Sequence, residues 1–134
     1  MRTISITYGS GIVHSLTVPL VAGHIHDRLF GGRINADIRV DTGADVSVVP
    51  VGTLNKLGLS RSSRIDRLAF RVSASTVVWK DVFELDFILP SPHPSLATVH
   101  VIEHDFPYAV LGVLRGIGHH DVRCNFPPGT LTIR

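Results

Sequence analysis

No stretch of this chain before Leu111 carries a helical pattern of ordinary length, and that restricts it to a fold built from strands. Apolar residues recur instead at every second position over short runs. Glycines and prolines interrupt those runs throughout rather than gathering in one linker. Residues 3–8 alternate polar and apolar side chains, the period of a strand covered on one face. Gly9-Ser10-Gly11 is a turn, and 12–20 reads as a second strand, with Pro19 marking its edge or end. Residues 34–40, 46–49, 68–72, 77–89 and 96–101 read as further strands. Residues 21–32 read as an irregular glycine-rich connection, and 51–59 as a short helical turn closed by Gly58. Pro90-Ser91-Pro92-His93-Pro94 makes a stiff surface loop, Phe126-Pro127-Pro128-Gly129 a turn, and 130–134 alternates again. The expectation is one all-β domain over residues 1–134, with closely spaced turns and no internal repeat.

At 44% apolar residues the chain can bury a proper core, and with few aromatics Val, Ile and Leu must fill it. The formal charge is only +2. Arg61, Arg64, Arg67 and Arg71 are the nearest thing to a basic cluster. They lack interleaved aromatics, so they read as a solvated face and no nucleic-acid partner is expected. The one cysteine, Cys124, excludes an intrachain disulfide and fits a reducing compartment. No apolar run is long enough for a signal-peptide core or a membrane span. A cytoplasmic protein, or a domain cut from a longer one, is the simplest expectation. The eight histidines include His24-Ile25-His26 and His119-His120, but no spacing matches a helix-borne zinc motif, so neither a metal nor another cofactor is expected. His119-His120 reads as a polar cap after Gly118. Ser47 lacks a nucleophile elbow. Asp81, Glu84 and Asp86 sit at mixed parity on a strand and read as solvated or edge charges.

The segment that carries chemistry is Asp41-Thr42-Gly43-Ala44-Asp45. A bare Asp-Thr-Gly would occur by residue frequency in about 3% of chains this long, so its weight comes from its flanks. Ile38 and Val40 alternate with Arg39 as a strand entering the loop, and Val46, Val48 and Val49 resume the strand until Pro50. A carboxylate is thereby set in a sharp turn between two β-branched segments. The plain alternative is a surface turn joining two hairpin strands, since Asp and Gly are ordinary turn residues.

The run resembles the active-site loop of aspartic proteases, and Ala44-Asp45 points to the retropepsin-like branch. Ala109-Val110-Leu111-Gly112 resembles that family's second signature, in which a strand crosses beneath the Asp loop and the glycine permits close backbone approach. A short helix near the C-terminus, residues 113–119, should follow. The family's usual polar pair after the glycine is replaced here by Val113-Leu114. The resemblance implies a closed β-barrel or sandwich with its active site on the two-fold axis of a homodimer, because this chain has one Asp loop where a two-lobed enzyme has two.

It further implies an aspartic endopeptidase acting on peptide or protein substrates. Asp41 from each chain would form the catalytic pair, two like charges close enough to share one proton. Thr42 would hydrogen-bond across the dimer, Gly43 would allow the turn, and Gly43, Ala44 and Asp45 would meet the substrate backbone. The flap, the hairpin that closes over substrate, falls at 70–78. Its tip would be Ser73, Ala74, Ser75 and Thr76 rather than the family's glycines. Val72, Val77, Val78 and Val110 would give an apolar wall with no charge. Terminal strands commonly contribute to the dimer interface in such proteins. The altered flap and the missing polar pair keep a rival open, a catalytically inactive dimerisation or peptide-binding module. A small β-barrel binding domain with a chance Asp-Thr-Gly is a third reading.

Overall fold

The computed structural model describes residues 2–7, 11, 13–18, 20–71, 73–125 and 130–134. The strands are β1 (Arg2–Thr7), β2 (Val13–Val18), β3 (Leu20–His26), β4 (Arg33–Val40), β5 (Ser47–Pro50), β6 (Asp66–Arg71), β7 (Val77–Ile88), β8 (Leu96–His104), β9 (Ala109–Leu111), β10 (Val122–Asn125) and β11 (Thr130–Ile133). A single α-helical turn among the described residues, α1 (Thr53–Lys56), follows β5 and is closed at Gly58, φ +77°. The turns expected at Gly9-Ser10 and 126–129, together with Pro19, lie outside the described residues.

The main sheet runs β3-β4-β9-β5-β8-β7-β6, and a further β3–β7 pairing closes the first six of these strands into a barrel. Two hairpins, β1–β2 and β10–β11, form separate antiparallel pairs. Strand β7 is long enough to serve two structures. Its C-terminal half pairs with β8 and β3 in the barrel, while residues 77–82 pair with β6 in a projecting hairpin.

Period-two alternation assigns the side chains. Ile25, Ile38, Val40, Val49, Leu85, Phe87, Val99, Val101 and Leu111 fill the barrel, each almost wholly buried. Their strand neighbours Val48, Val82, Ile102 and Val110 form a second apolar cluster, joined by Val46, Leu68, Phe70 and Tyr108. Strand β5 is therefore covered on both faces, which explains why Val48-Val49 reads as continuous apolar sequence rather than alternation.

Two expectations change. Residues 21–26, expected within an irregular connection, continue from Leu20 as a strand antiparallel to β4 along its whole length. Gly23 is one of the glycines that make this segment read as irregular. It sits where the barrel closes, and a Cβ there would lie 2.6 Å from the Ile88 carbonyl oxygen and 2.9 Å from Ile38 Cδ1. The glycine makes close strand approach possible. The helix expected over 113–119 is reduced to a turn followed by the 3-10 segment Ile117–His119. Arg115 takes a left-handed conformation, φ 52°, which interrupts a helical ladder. The Ile117 and Gly118 N–H groups instead reach back five residues, to the Gly112 and Val113 carbonyls. Strand β10 was not foreseen; it pairs with β11, whose Ile133 is buried in the barrel cluster.

Candidate active site

Strand β9 lies between β4, to which it runs parallel, and β5, to which it is antiparallel. The chain leaves β4 at Asp41, loops over the end of β9 and returns as β5. This places the Asp loop directly above the Leu111–Gly112 turn. The Asp41 N–H donates to the Leu111 carbonyl at 3.1 Å, Val113 N–H to the Ala44 carbonyl at 3.0 Å, and Leu114 N–H to the Asp45 carbonyl at 2.8 Å. The buried Ser47 hydroxyl accepts the Gly112 N–H at 2.9 Å. A Cβ on residue 112 would fall 2.4 Å from the Val46 carbonyl oxygen and 2.9 Å from that of Ala44. Only glycine fits so close an approach of two backbones.

Within the loop, Asp41 Oδ1 accepts the Gly43 N–H at 2.9 Å, and Ala44 N–H closes back on the Asp41 carbonyl at 3.2 Å. The carboxylate is thus oriented by the turn that carries it. Its side chain is 32% exposed. Thr42, Gly43 and Asp45 are exposed, and Ala44 is half-buried.

Asp41 opens onto a cleft of about 530 Å³ between the Asp loop and the β6–β7 hairpin. Val46, Val48 and Val110 line it from the barrel side, Leu68 and Phe70 from β6. Phe70 packs edge-on against His104, with centroids 5.1 Å apart, and His104 against Phe106 at 5.4 Å. This aromatic series couples the projecting hairpin to the 105–108 loop.

The hairpin occupies the expected flap position, with Phe70 opposite Val78 and Arg71 opposite Val77. Ser73, Ala74 and Ser75 form its exposed tip, and Val72 lies outside the described residues. Of the expected wall residues, Val110 lines the cleft. Val77 and Val78 stand on β7 and are not among its lining, which on the flap side comes from β6. Nor is the wall free of charge, since Arg39, Asp45 and Arg71 line it alongside Asp41.

Arg39 was missed as a site residue, although the signal was present: it precedes Asp41 by two positions, which on a strand means the same face. Its Nη1 donates to the Tyr108 hydroxyl at 3.1 Å, and its Nε lies 3.9 Å from Asp41 Oδ2. The second contact is charge attraction rather than a hydrogen bond.

The acids read as solvated are more engaged than expected. Asp81 gathers Arg61 and Arg64, each at 3.0 Å, and Arg67 at 3.6 Å, at the base of the flap. The Arg64 hydrogen bond, opposed by burial and reinforced by Arg61, holds the Asp81 carboxyl below the usual carboxylate range. Burial works against ionisation of Asp86, yet the Thr98 N–H and the Arg28 guanidinium outweigh it and lower its pKa as well.

Among solved structures, the chain is similar to the retroviral protease-like domain of Ddi1 from Leishmania major. The TM-score is 0.56 at 21% identity, covering 88% of this chain and 89% of that one. It is also similar to a retropepsin-like aspartic protease from Rickettsia conorii, with a TM-score of 0.55 at 12% identity, covering 98% of this chain and 91% of that one. No protein-family model matches the sequence, and neither does any curated protein. At these identities the likeness is one of fold, and the fold is retropepsin-like.

Proposed function

We propose that this chain is an aspartic endopeptidase that acts as a homodimer, with Asp41 from each chain forming the catalytic pair. One observation carries the reading. Asp41 is half-exposed at the mouth of a cleft roofed by a hairpin, with one carboxylate oxygen oriented by its own loop and the other turned toward Arg39. A loop stitched this closely to the strand beneath it suits a group that must be held in place.

Two such carboxylates facing across a two-fold axis share one proton. The ionised member removes a proton from a bound water as its oxygen attacks the scissile carbonyl carbon. The protonated member gives its proton to the carbonyl oxygen, forming a neutral gem-diol. Collapse of that intermediate breaks the C–N bond, with a proton delivered to the departing nitrogen, and leaves a carboxylic acid and an amine. Thr42, at the exposed tip of the loop, would tie the two loops together across the axis, and the backbone of 43–45 would receive the substrate strand.

The test is cleavage of a peptide library across pH by the wild type and by Asp41→Asn, with sedimentation in parallel. The asparagine Oδ1 can still accept the Gly43 N–H, so the fold should persist while activity falls by at least about 10²–10⁴-fold. Activity should decline on both sides of an acidic optimum, because the base is lost at low pH and the acid at high pH. A peptide carrying a hydroxyl at the scissile carbon should inhibit, and chelators should not. Activity near wild type in Asp41→Asn would move the chemistry elsewhere. A two-fold dimer with its Asp41 carboxylates far apart would favour the second reading, a peptide-binding module. The exposed Val113 and Leu114, standing where the family places a polar pair, motivate keeping that reading in the test.

A further inference from the structure

We propose that Arg39, assisted by Arg71, makes the cleft prefer substrates with an acidic side chain beside the bond to be cut. The proposal rests on the peptidase reading of the same site. Strand β4 turns Ile38 and Val40 into the barrel, so Arg39 and Asp41 project together on the cleft side. Arg39 is 30% exposed and clamped by the Tyr108 hydroxyl. Among the described residues its Nε is buried with no hydrogen-bond acceptor, and Asp41 Oδ2 at 3.9 Å is too distant to supply one. The guanidinium therefore has no carboxylate at hydrogen-bond distance among the described residues, and its exposed part lines the cleft, where the carboxylate of a ligand can meet it. A carboxylate fits the planar donor edge of a guanidinium better than any neutral side chain.

Arg71 reaches the same cleft from the flap strand, where its Nη1 holds the Ala74 carbonyl at 2.9 Å. One cation therefore lies in the floor and one in the roof. Val46, Val48 and Leu68 between them offer apolar surface for the methylene stem of a glutamate. Within one chain the two lining arginines are balanced by Asp41 and Asp45. In a dimer whose Asp41 pair shares a proton, the lining arginines exceed the ionised lining carboxylates by one charge. That surplus is where an anionic side chain is accommodated, despite the aspartates nearby.

The experiment uses peptides identical except for Glu, Gln or Leu at each position flanking the cut. It measures kcat/KM with the wild type and binding with Asp41→Asn, which does not turn over. Glu should be favoured over Leu by about tenfold or more in both readouts, with Gln between. Arg39→Leu should reverse the order, Arg39→Lys should keep part of it, and Tyr108→Phe should reduce it by loosening the guanidinium. Circular dichroism of each variant separates lost preference from lost fold. Asp41-dependent cleavage with Leu favoured, unaltered by Arg39→Leu, would overturn the proposal. Failure of the peptidase reading looks different: no peptide is cut, yet Asp41→Asn and the wild type bind the Glu peptide in preference and lose that preference with Arg39. Binding indifferent to the residue, with no cleavage, would overturn both.

Discussion

The Asp loop and the flap tip both connect two strands at the same cleft, yet they are held in opposite ways. Residues 41–46 are tied to the strand beneath by backbone hydrogen bonds from Asp41, Val113 and Leu114, by the buried Ser47 hydroxyl, and by a backbone approach that admits no side chain at 112. The tip carries a long Ser73 N–H to Thr76 carbonyl bond of 3.4 Å and the Arg71 contact to the Ala74 carbonyl, both at exposed positions. On the proposed peptidase reading, a group that performs proton transfer gains from a fixed position, whereas a hairpin that admits and covers a peptide gains from few constraints. The difference is a hypothesis about dynamics that substitutions can break.

The largest effect should come from Gly112→Ala. The atoms its Cβ would meet are backbone carbonyls of the Asp loop, which cannot rotate away as a side chain could. Stability should fall by about 3 kcal/mol, lowering the melting temperature by about ten degrees, with activity falling further as Asp41 is displaced. An unchanged melting temperature would show that the loop is free to shift. Ser47→Ala comes next. It leaves the buried Gly112 N–H without its acceptor, at a cost of about 1–3 kcal/mol in thermal or denaturant unfolding. Ser47→Thr keeps the hydroxyl and should recover part of that loss.

The sequence revealed these regions unequally. The strands flanking Asp41 were readable from their alternation, and the loop between them from an Asp-Thr-Gly turn set between two β-branched runs. Gly112 was readable only through the resemblance of Ala109-Val110-Leu111-Gly112 to a family signature, taken together with its distance from the Asp loop. The closure of the barrel was hidden. Gly23, His24 and His26 disrupt the alternation that marks a strand, and the reason a glycine belongs there is the Ile88 carbonyl, 65 positions later in the chain. The cleft wall was half visible. Nothing local says that β6 rather than β7 lines the cleft with Asp41, since both strands of the hairpin alternate. Arg39 was overlooked because its charge fitted the polar half of an alternating strand. Asp81 was read as solvated because its three arginines come from the segment before β6 and from β6 itself, which strand parity alone does not bring together.

Asp81 sharpens the comparison, because it sets an ionic anchor at the root of the flap, and the tip has none among the described residues. Its carboxyl pKa is lowered in the folded chain, chiefly by Arg64 and against burial, and that of Asp86 is lowered too. A lowered folded pKa gives a stabilisation that is complete above the unfolded value of about 3.9 and disappears as pH falls through the folded one. Asp81→Asn should therefore melt below the wild type at neutral pH, and the gap should close as pH drops below about 4. Salt should narrow it as well, because the arginines are largely exposed. A gap that persists at low pH would mean the residue acts through packing rather than charge.

The smallest effect on stability belongs to the tip. Ala74 is exposed, and its hydrogen bond to Arg71 is made by the main-chain carbonyl, so Ala74→Gly removes a methyl group and no partner. The melting temperature should move by no more than the equivalent of about 0.5 kcal/mol. Freeing the backbone at this position widens the set of conformations the tip samples before substrate binds, and a tip that closes over a peptide must then give up more entropy to do so. KM should rise while kcat stays close to wild type, because the carboxylates are held by the other loop. A loss of stability as large as that of Ser47→Ala would show that the tip is tied as firmly as the Asp loop. Equal losses in kcat and kcat/KM would show that the tip acts in the transition state rather than in substrate capture. Either result would remove the contrast between a fixed loop and a free one.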